Sequence, residues 1–245
     1  MSVNEWSDAT AMAQAVQNKT VSPRELVEAT IRESERTNPK INAIVSQRYE
    51  KAIEEPETRN FSGKPFSGVP IFLKDLGQEQ AGEPSTAGSR LFTSYHAMET
   101  DNYVKKLEEL GFIILGRSST PEFGFKNISD AQIHGPVNLP DDVRRNAGGS
   151  SGGAAALVSS GISPLAPASD GGGSIRIPAS FNGLIGLKPS RGRIPVGPGS
   201  FRGWQGASVQ FALTKSVRDT NACFIICRRV RWKVPLSCPN LTKIL

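Results

Sequence analysis

Apolar positions along the chain fall into two alternating rhythms. Ser22, Pro23 and Glu25 form the opening of a helix, an N-cap followed by a first-turn proline and a capping-box acid, and Leu26, Val27, Thr30 and Ile31 continue at helical spacing. That helix is predicted to stop near Asn38, before Pro39, because proline lacks the N–H a continuing helix needs. INAIV (41–45) then reads as a short strand and residues 46–54 as a further helix. In VPIFLKDL, Val69, Ile71 and Leu73 alternate as in a strand, which puts Lys74 at its C-terminal end. Asp101 is placed to cap a helix bearing Val104, Leu107 and Leu110, Gly111 to end it, and FIILG (112–116) reads as a buried strand.

Strand, helix, strand in that order is α/β grammar with at least partly parallel pairing. Residues 117–150 show no period, broken by Pro121, Gly124, Gly135, Pro136 and Pro140, and read as one long loop. Helical pattern returns in GGAAALVSSG (152–161), a strand in SPLAPAS leads to the glycines of SDGGGSIRIPAS, and SVRDTNA (216–222) starts another helix. The remainder, CFIICRRVRWKVPLSCPNLTKIL, has no acids, holds every cysteine and reads as foreign to what precedes it.

Composition changes this picture in one respect. The 245 residues carry a formal charge of +6, but Arg228, Arg229, Arg231, Lys233 and Lys243 all follow residue 227, and without them the first 227 residues stand at +1. Basicity therefore belongs to a short tail, and the body is not expected to bind nucleic acid. Cys223, Cys227 and Cys238 are odd in number, which favours a reducing, cytoplasmic setting over a disulfide framework. No segment approaches the ~20 apolar residues of a spanning helix, so no membrane partner is expected.

Candidate chemistry centres on serine. GGSSGGAAA (148–156) and DGGGSI (170–175) each place a serine among glycines just ahead of a helical run. Unpaired N–H groups at a helix start, with glycine permitting close approach, make a credible oxyanion hole from Gly171, Gly172, Gly173 and Ser174. Taken alone, the same turn fits a helix cap or a phosphate site equally well. Ser150 also satisfies G-x-S-x-G, but both histidines, His96 and His134, lie upstream, which excludes the acid-then-histidine order of a nucleophile elbow. A lysine could act as base if burial kept it neutral, and Lys74 is the lysine most embedded in apolar sequence; a strand-end surface charge is the plainer alternative. Cys223 and Cys227, four residues apart with no histidine nearby, do not complete a metal site, and there is no phosphate loop. No cofactor is expected.

Together, GVPIFLKDL, TPEFGF, GGSSGGAAALVSSG, SDGGGSIRIPASFNGLIGLKPSRGRIP and ALTKSVRDT resemble, in order, the amidase signature family of serine hydrolases. The resemblance implies an α/β fold, a mixed β-sheet covered by helices on both faces, with a signature core over about 66–216. It implies a triad in which Ser174 is the nucleophile, Ser150 a bridging serine on a cis peptide and Lys74 the terminal base, with Ser151, Asp170 and Arg176 in support. The implied activity is hydrolysis of a linear or cyclic small-molecule amide. The STAGSRLF and NISDAQIHGPVNLP segments are similar to stand-alone amidases such as 6-aminohexanoate cyclic-dimer hydrolases, more than to the glutaminase-like subunit of the tRNA-dependent amidotransferase. Two departures stand out: glycine at 171, where that family often has threonine, and a length near half that of its members. Residues 1–222 are accordingly read as the N-terminal part of an amidase domain and 223–245 as an atypical tail from a shifted or truncated frame. An inactive fragment is the competing expectation, with a missing C-terminal half or a second copy as the partner.

Overall fold

The computed structural model describes residues 8–201 and 203–228. Two helices, α1 (Ala9–Gln17) and α2 (Pro23–Ile41), open the chain, the second on the predicted capping box: Ser22 Oγ accepts from Glu25 N and Glu25 returns the bond to Ser22 N at 2.8 Å. Contrary to expectation, α2 runs through Pro39 to a left-handed Asn42. A proline in the last turn forfeits only one helical bond, and Asn38 Oδ1 accepts from Ala43 N and Ile44 N at 2.8 and 2.9 Å, guiding the chain out. The strand expected at 41–45 is therefore displaced to β1 (Ile44–Gln47), and the next helix to α3 (Tyr49–Thr58).

β2 (Pro70–Lys74) is the predicted strand, and α4 (Asn102–Glu109) carries the chain over to β3 (Ile113–Ser118), which pairs with β2 in parallel and with β1 antiparallel. Ile71, Leu73 and Ile114 enter one core while Phe72, Ile113 and Leu115 enter a second, so this sheet is buried on both faces and its strands read as unbroken apolar runs. Residues 117–150 are not the single loop expected. They include the end of β3 and the short ladders β4 (Asp130–Ala131) with β5 (Gly135–Pro136) and β6 (Asn138–Leu139) with β7 (Asp142–Asn146). Three of these four strands are only two residues long, too short to show a period.

α5 (Gly152–Ser159) has no polar face, and from Gly152 to Val158 every residue is buried. It leads to β8 (Leu165–Asp170), which runs beside β2. After α6 (Arg176–Phe181), β9 (Ile185–Gly186) and β10 (Val209–Thr214) complete a second antiparallel sheet in the order β8-β10-β9. α7 (Val217–Arg228) crosses the boundary placed at residue 222 without a break, and Cys223 and Cys227 pack into the core with free thiols. The opening of the compositionally odd segment is thus built into the fold. Asp219 in its first turn caps α1, accepting from Ala9 N and Thr10 N at 2.8 and 2.9 Å. The basic residues from 229 onward and Cys238 lie outside the described residues.

Candidate active site

The strand β2 delivers Lys74 into the interior, where the side chain is fully buried. Its Nζ donates to Ser150 Oγ at 2.7 Å and to Ser169 Oγ at 3.0 Å. Burial pushes the ammonium pKa down to about 7, while the nearby Asp170 carboxylate pulls the other way. A lysine that is neutral about half the time at neutral pH can accept a proton. The strand end is held by Gln78, which accepts from Lys74 N at 2.7 Å, and by Arg117, which donates to Lys74 O at 3.1 Å. Asp75 plays no part in this: its carboxylate accepts from Thr86 N and Oγ1.

Ser150 and Ser151 sit at the N-terminus of α5, after a cis peptide between Gly149 and Ser150. Ser129 secures that turn, its Oγ accepting from Gly152 N at 3.1 Å, and Asn146 Oδ1 in turn accepts from Ser129 N and Gly148 N. Ser151 Oγ exchanges hydrogen bonds with the backbone of Ser169, donating to O at 3.3 Å and accepting from N at 3.4 Å, which ties the α5 turn to β8.

β8 ends on Asp170, and the glycine turn wraps around its carboxylate. Gly173 N donates at 2.8 Å, Ile175 N at 3.1 Å, and the Arg176 guanidinium at 2.9 and 3.0 Å. Burial alone would raise this carboxyl's pKa, but the bonds from Arg176, Ile175 and Gly173 hold it below its ordinary value. The expectation for Gly173 is corrected here: its N–H is committed to Asp170. Among the described residues the N–H groups of Gly171, Gly172 and Ser174 have no protein acceptor. Where the resemblance leads one to expect threonine, the Trp204 indole covers Gly171, with Cε3 2.8 Å from where a Cβ would stand.

Ser174, Ser150, Ser169 and Gly171 line one small cavity, closed by Leu76, Phe123 and Trp204. Ser150 is hydrogen-bonded to Lys74, which lies buried behind it, whereas Ser174 Oγ makes no hydrogen bond to Ser150, so the geometry brings the two serines to one cavity and joins one of them to the lysine. Such contacts often tighten only on a bound substrate. His96 is exposed on the surface and His134 meets Thr86 Oγ1 at 3.2 Å, neither of them in this cavity. Sequence reasoning passed over Ser169, Ser129 and Asn146. Ser169 did carry a signal, a hydroxyl in an otherwise apolar buried strand.

Replacing Asp170 with Asn should lower unfolding stability by about 2 kcal/mol, because an amide NH₂ would face N–H donors that the carboxylate accepts. The half-exposed Arg176 contributes little to that figure. As the folded carboxyl's pKa is depressed, its contribution is full above the ordinary 3.8 and is lost as pH falls below it. Urea denaturation at pH 7 and pH 3 measures both; equal losses for the variant at the two pH values would count against this role.

A buried lysine bonded to a serine, beside a glycine turn with free N–H groups and a second serine, is equipped for acyl transfer without histidine or metal ligands. Among the described residues no three His, Cys, Asp or Glu side chains are grouped to hold a metal, and no helix is long and apolar enough to cross a membrane. The pattern of the Amidase family matches residues 25–242, and the chain belongs to this family. It is 43% identical over 222 residues to a lipoamidase of Enterococcus faecalis, covering 90% of this chain and 30% of that protein. It is 39% identical over 224 residues to a 6-aminohexanoate-cyclic-dimer hydrolase of Paenarthrobacter ureafaciens, covering 90% and 45%. The structure of a 6-aminohexanoate cyclic dimer hydrolase with its substrate superposes with a TM-score of 0.89 at 36% identity, over 97% of this chain and 50% of that one. The chain thus spans half or less of the length of these relatives.

Proposed function

We propose that the chain carries the catalytic centre of an amidase that cleaves a carboxylic amide through an acyl-enzyme on Ser174. The observation that carries this reading is the 2.7 Å hydrogen bond between Ser150 and a fully buried Lys74 whose pKa lies near neutrality. In the proposed mechanism Ser174 Oγ attacks the amide carbonyl and passes its proton to Ser150, which hands its own to neutral Lys74. The tetrahedral oxyanion is met by the N–H groups of Gly171, Gly172 and Ser174. Lys74 then returns the proton through Ser150 to the departing nitrogen, and the C–N bond breaks. Water enters by the same relay, adds to the acyl carbon, and releases the acid and Ser174.

The likeness to 6-aminohexanoate-cyclic-dimer hydrolase and lipoamidase supports a stand-alone amidase acting on a small linear or cyclic amide. A fluorophosphonate probe tests the centre directly, since it labels only an activated serine. Labelling confined to Ser174, located by peptide mass and absent from Ser174→Ala, is the expected result. A folded chain that takes no label would make it an inactive fragment.

A further inference from the structure

The cavity at Ser150 and Ser174 adjoins a second one of about 210 Å³, the two sharing Leu76, Phe123, Ser169, Trp204 and Ser208 as walls. The far wall is built around the start of α4. Asn102 N donates to Gly197 O at 2.7 Å and Asn102 Nδ2 to Val196 O at 2.9 Å, fastening the 195–197 segment against that helix. Apart from serine hydroxyls, backbone and the Trp204 indole, the polar groups among the described lining residues are Tyr103, Gln210 and Asp101. Tyr103 is committed to Phe211 O, and Gln210 accepts from Gln78 Nε2 and donates to Gly77 O.

Asp101 differs from the other two. It is the one charged residue among the described lining residues of either cavity. Its Oδ2 accepts from Glu79 N at 3.0 Å, while Oδ1 has no partner among the described residues and does not cap α4. The neighbouring charges are Glu79, Lys105 and Arg117. Arg117 is directed to Lys74 O and Gln78 O, and Glu79 to Ser85 Oγ; neither they nor Lys105 lines the cavity. A substrate extending from Ser174 into this space meets the Asp101 carboxylate, the one charge among the described lining residues.

From this placement we infer that Asp101 is a specificity-determining residue, selecting amide substrates that carry a protonated amine at the end remote from the scissile bond. An ammonium there pairs with this carboxylate and fills the open Oδ1 with a charge-assisted hydrogen bond. A methyl group in the same place would leave the carboxylate both desolvated and unpaired. The inference rests on the amidase reading for the orientation of the ligand, with its carbonyl at Ser174. It does not need turnover to be tested.

Calorimetric binding to the Ser174→Ala protein, which cannot be acylated, separates the two readings. The ligands are a length series of ω-aminoalkanamides, each paired with the isosteric alkanamide bearing methyl in place of ammonium. The expected result at pH 8 is that the aminoalkanamide of best length binds about tenfold more tightly than its methyl partner, and that Asp101→Asn removes the preference while Asn Oδ1 still accepts from Glu79 N. A mutation-free arm guards against misfolding of that variant: burial raises the Asp101 pKa to about 6, so the preference should fade as pH drops through 6. Equal affinities for the pair, a preference that survives Asp101→Asn, or no binding by any member of the series would each overturn the inference. Selective binding by a protein that never labels at Ser174 would instead refute the amidase reading alone.

Discussion

Lys74→Ala should slow fluorophosphonate labelling of Ser174 by about 10³-fold at pH 8, the middle of the range for losing a positioned general base. The wild-type labelling rate should climb with pH through about 7, because the active form is the neutral amine. Lys74→Arg should be as inactive as the alanine variant, since a guanidinium stays charged and cannot accept the proton. The same shift has a thermodynamic consequence with a fixed sign. The folded pKa of about 7 lies below the ordinary 10.5, so between those values the unfolded chain binds more protons than the folded one, and stability rises with pH across that window. Lys74→Met removes the titrating group and should flatten that part of the curve of urea midpoint against pH. An unchanged slope in the variant, or labelling that falls as pH rises through 7, would mean Lys74 is not the neutral base.

Gly153→Ala should lower unfolding stability by about 3 kcal/mol, at the upper end for forcing atoms into a filled interior. A Cβ at this position would stand 2.4 Å from Ser119 N and 2.7 Å from Ser119 O, backbone atoms that cannot swing aside. Gly153 N also donates to Ser119 O at 3.2 Å, and that bond seats the first turn of α5 on the end of β3. The displacement would move the whole turn that carries Ser150, so labelling should fall along with the urea midpoint. Gly199→Ala is the control: nothing among the described residues lies within 4 Å of its Cβ position, and the midpoint should hold steady. A Gly153→Ala protein as stable as wild type would show that α5 and β3 can separate at little cost.

These effects reach very different depths of the sequence. The capping box of α2, the apolar run of β2 and the all-apolar α5 were legible because each is a local pattern with a local cause. The strand β10 shows the limit of that approach. Val209, Phe211 and Leu213 alternate as strand residues do, yet only pairing with β8 and β9 makes VQFALT the middle of a sheet. The continuity of α7 past residue 222 was hidden for a related reason. Composition changes there, but Cys223 and Cys227 still fall on the face that packs into the core, and burial responds to the face presented, not to the average of the segment.

By itself the sequence determined the kinds of chemistry on offer: two serines in glycine turns ahead of helices, a lysine at a strand end, and no histidine in a usable order. It also determined that the turns could approach a ligand closely, since only glycine leaves the backbone bare. The tertiary structure decided the rest. It brought Lys74 within 2.7 Å of a serine 76 residues away and sealed it from water, which is what pulls its pKa toward neutrality. It gave the N–H of Gly173 to Asp170 and left Asp101 as the one charge among the described residues lining the adjoining cavity. Desolvation and hydrogen-bond assignment depend on every group that surrounds a side chain, and those surroundings come from strands and helices far apart along the chain.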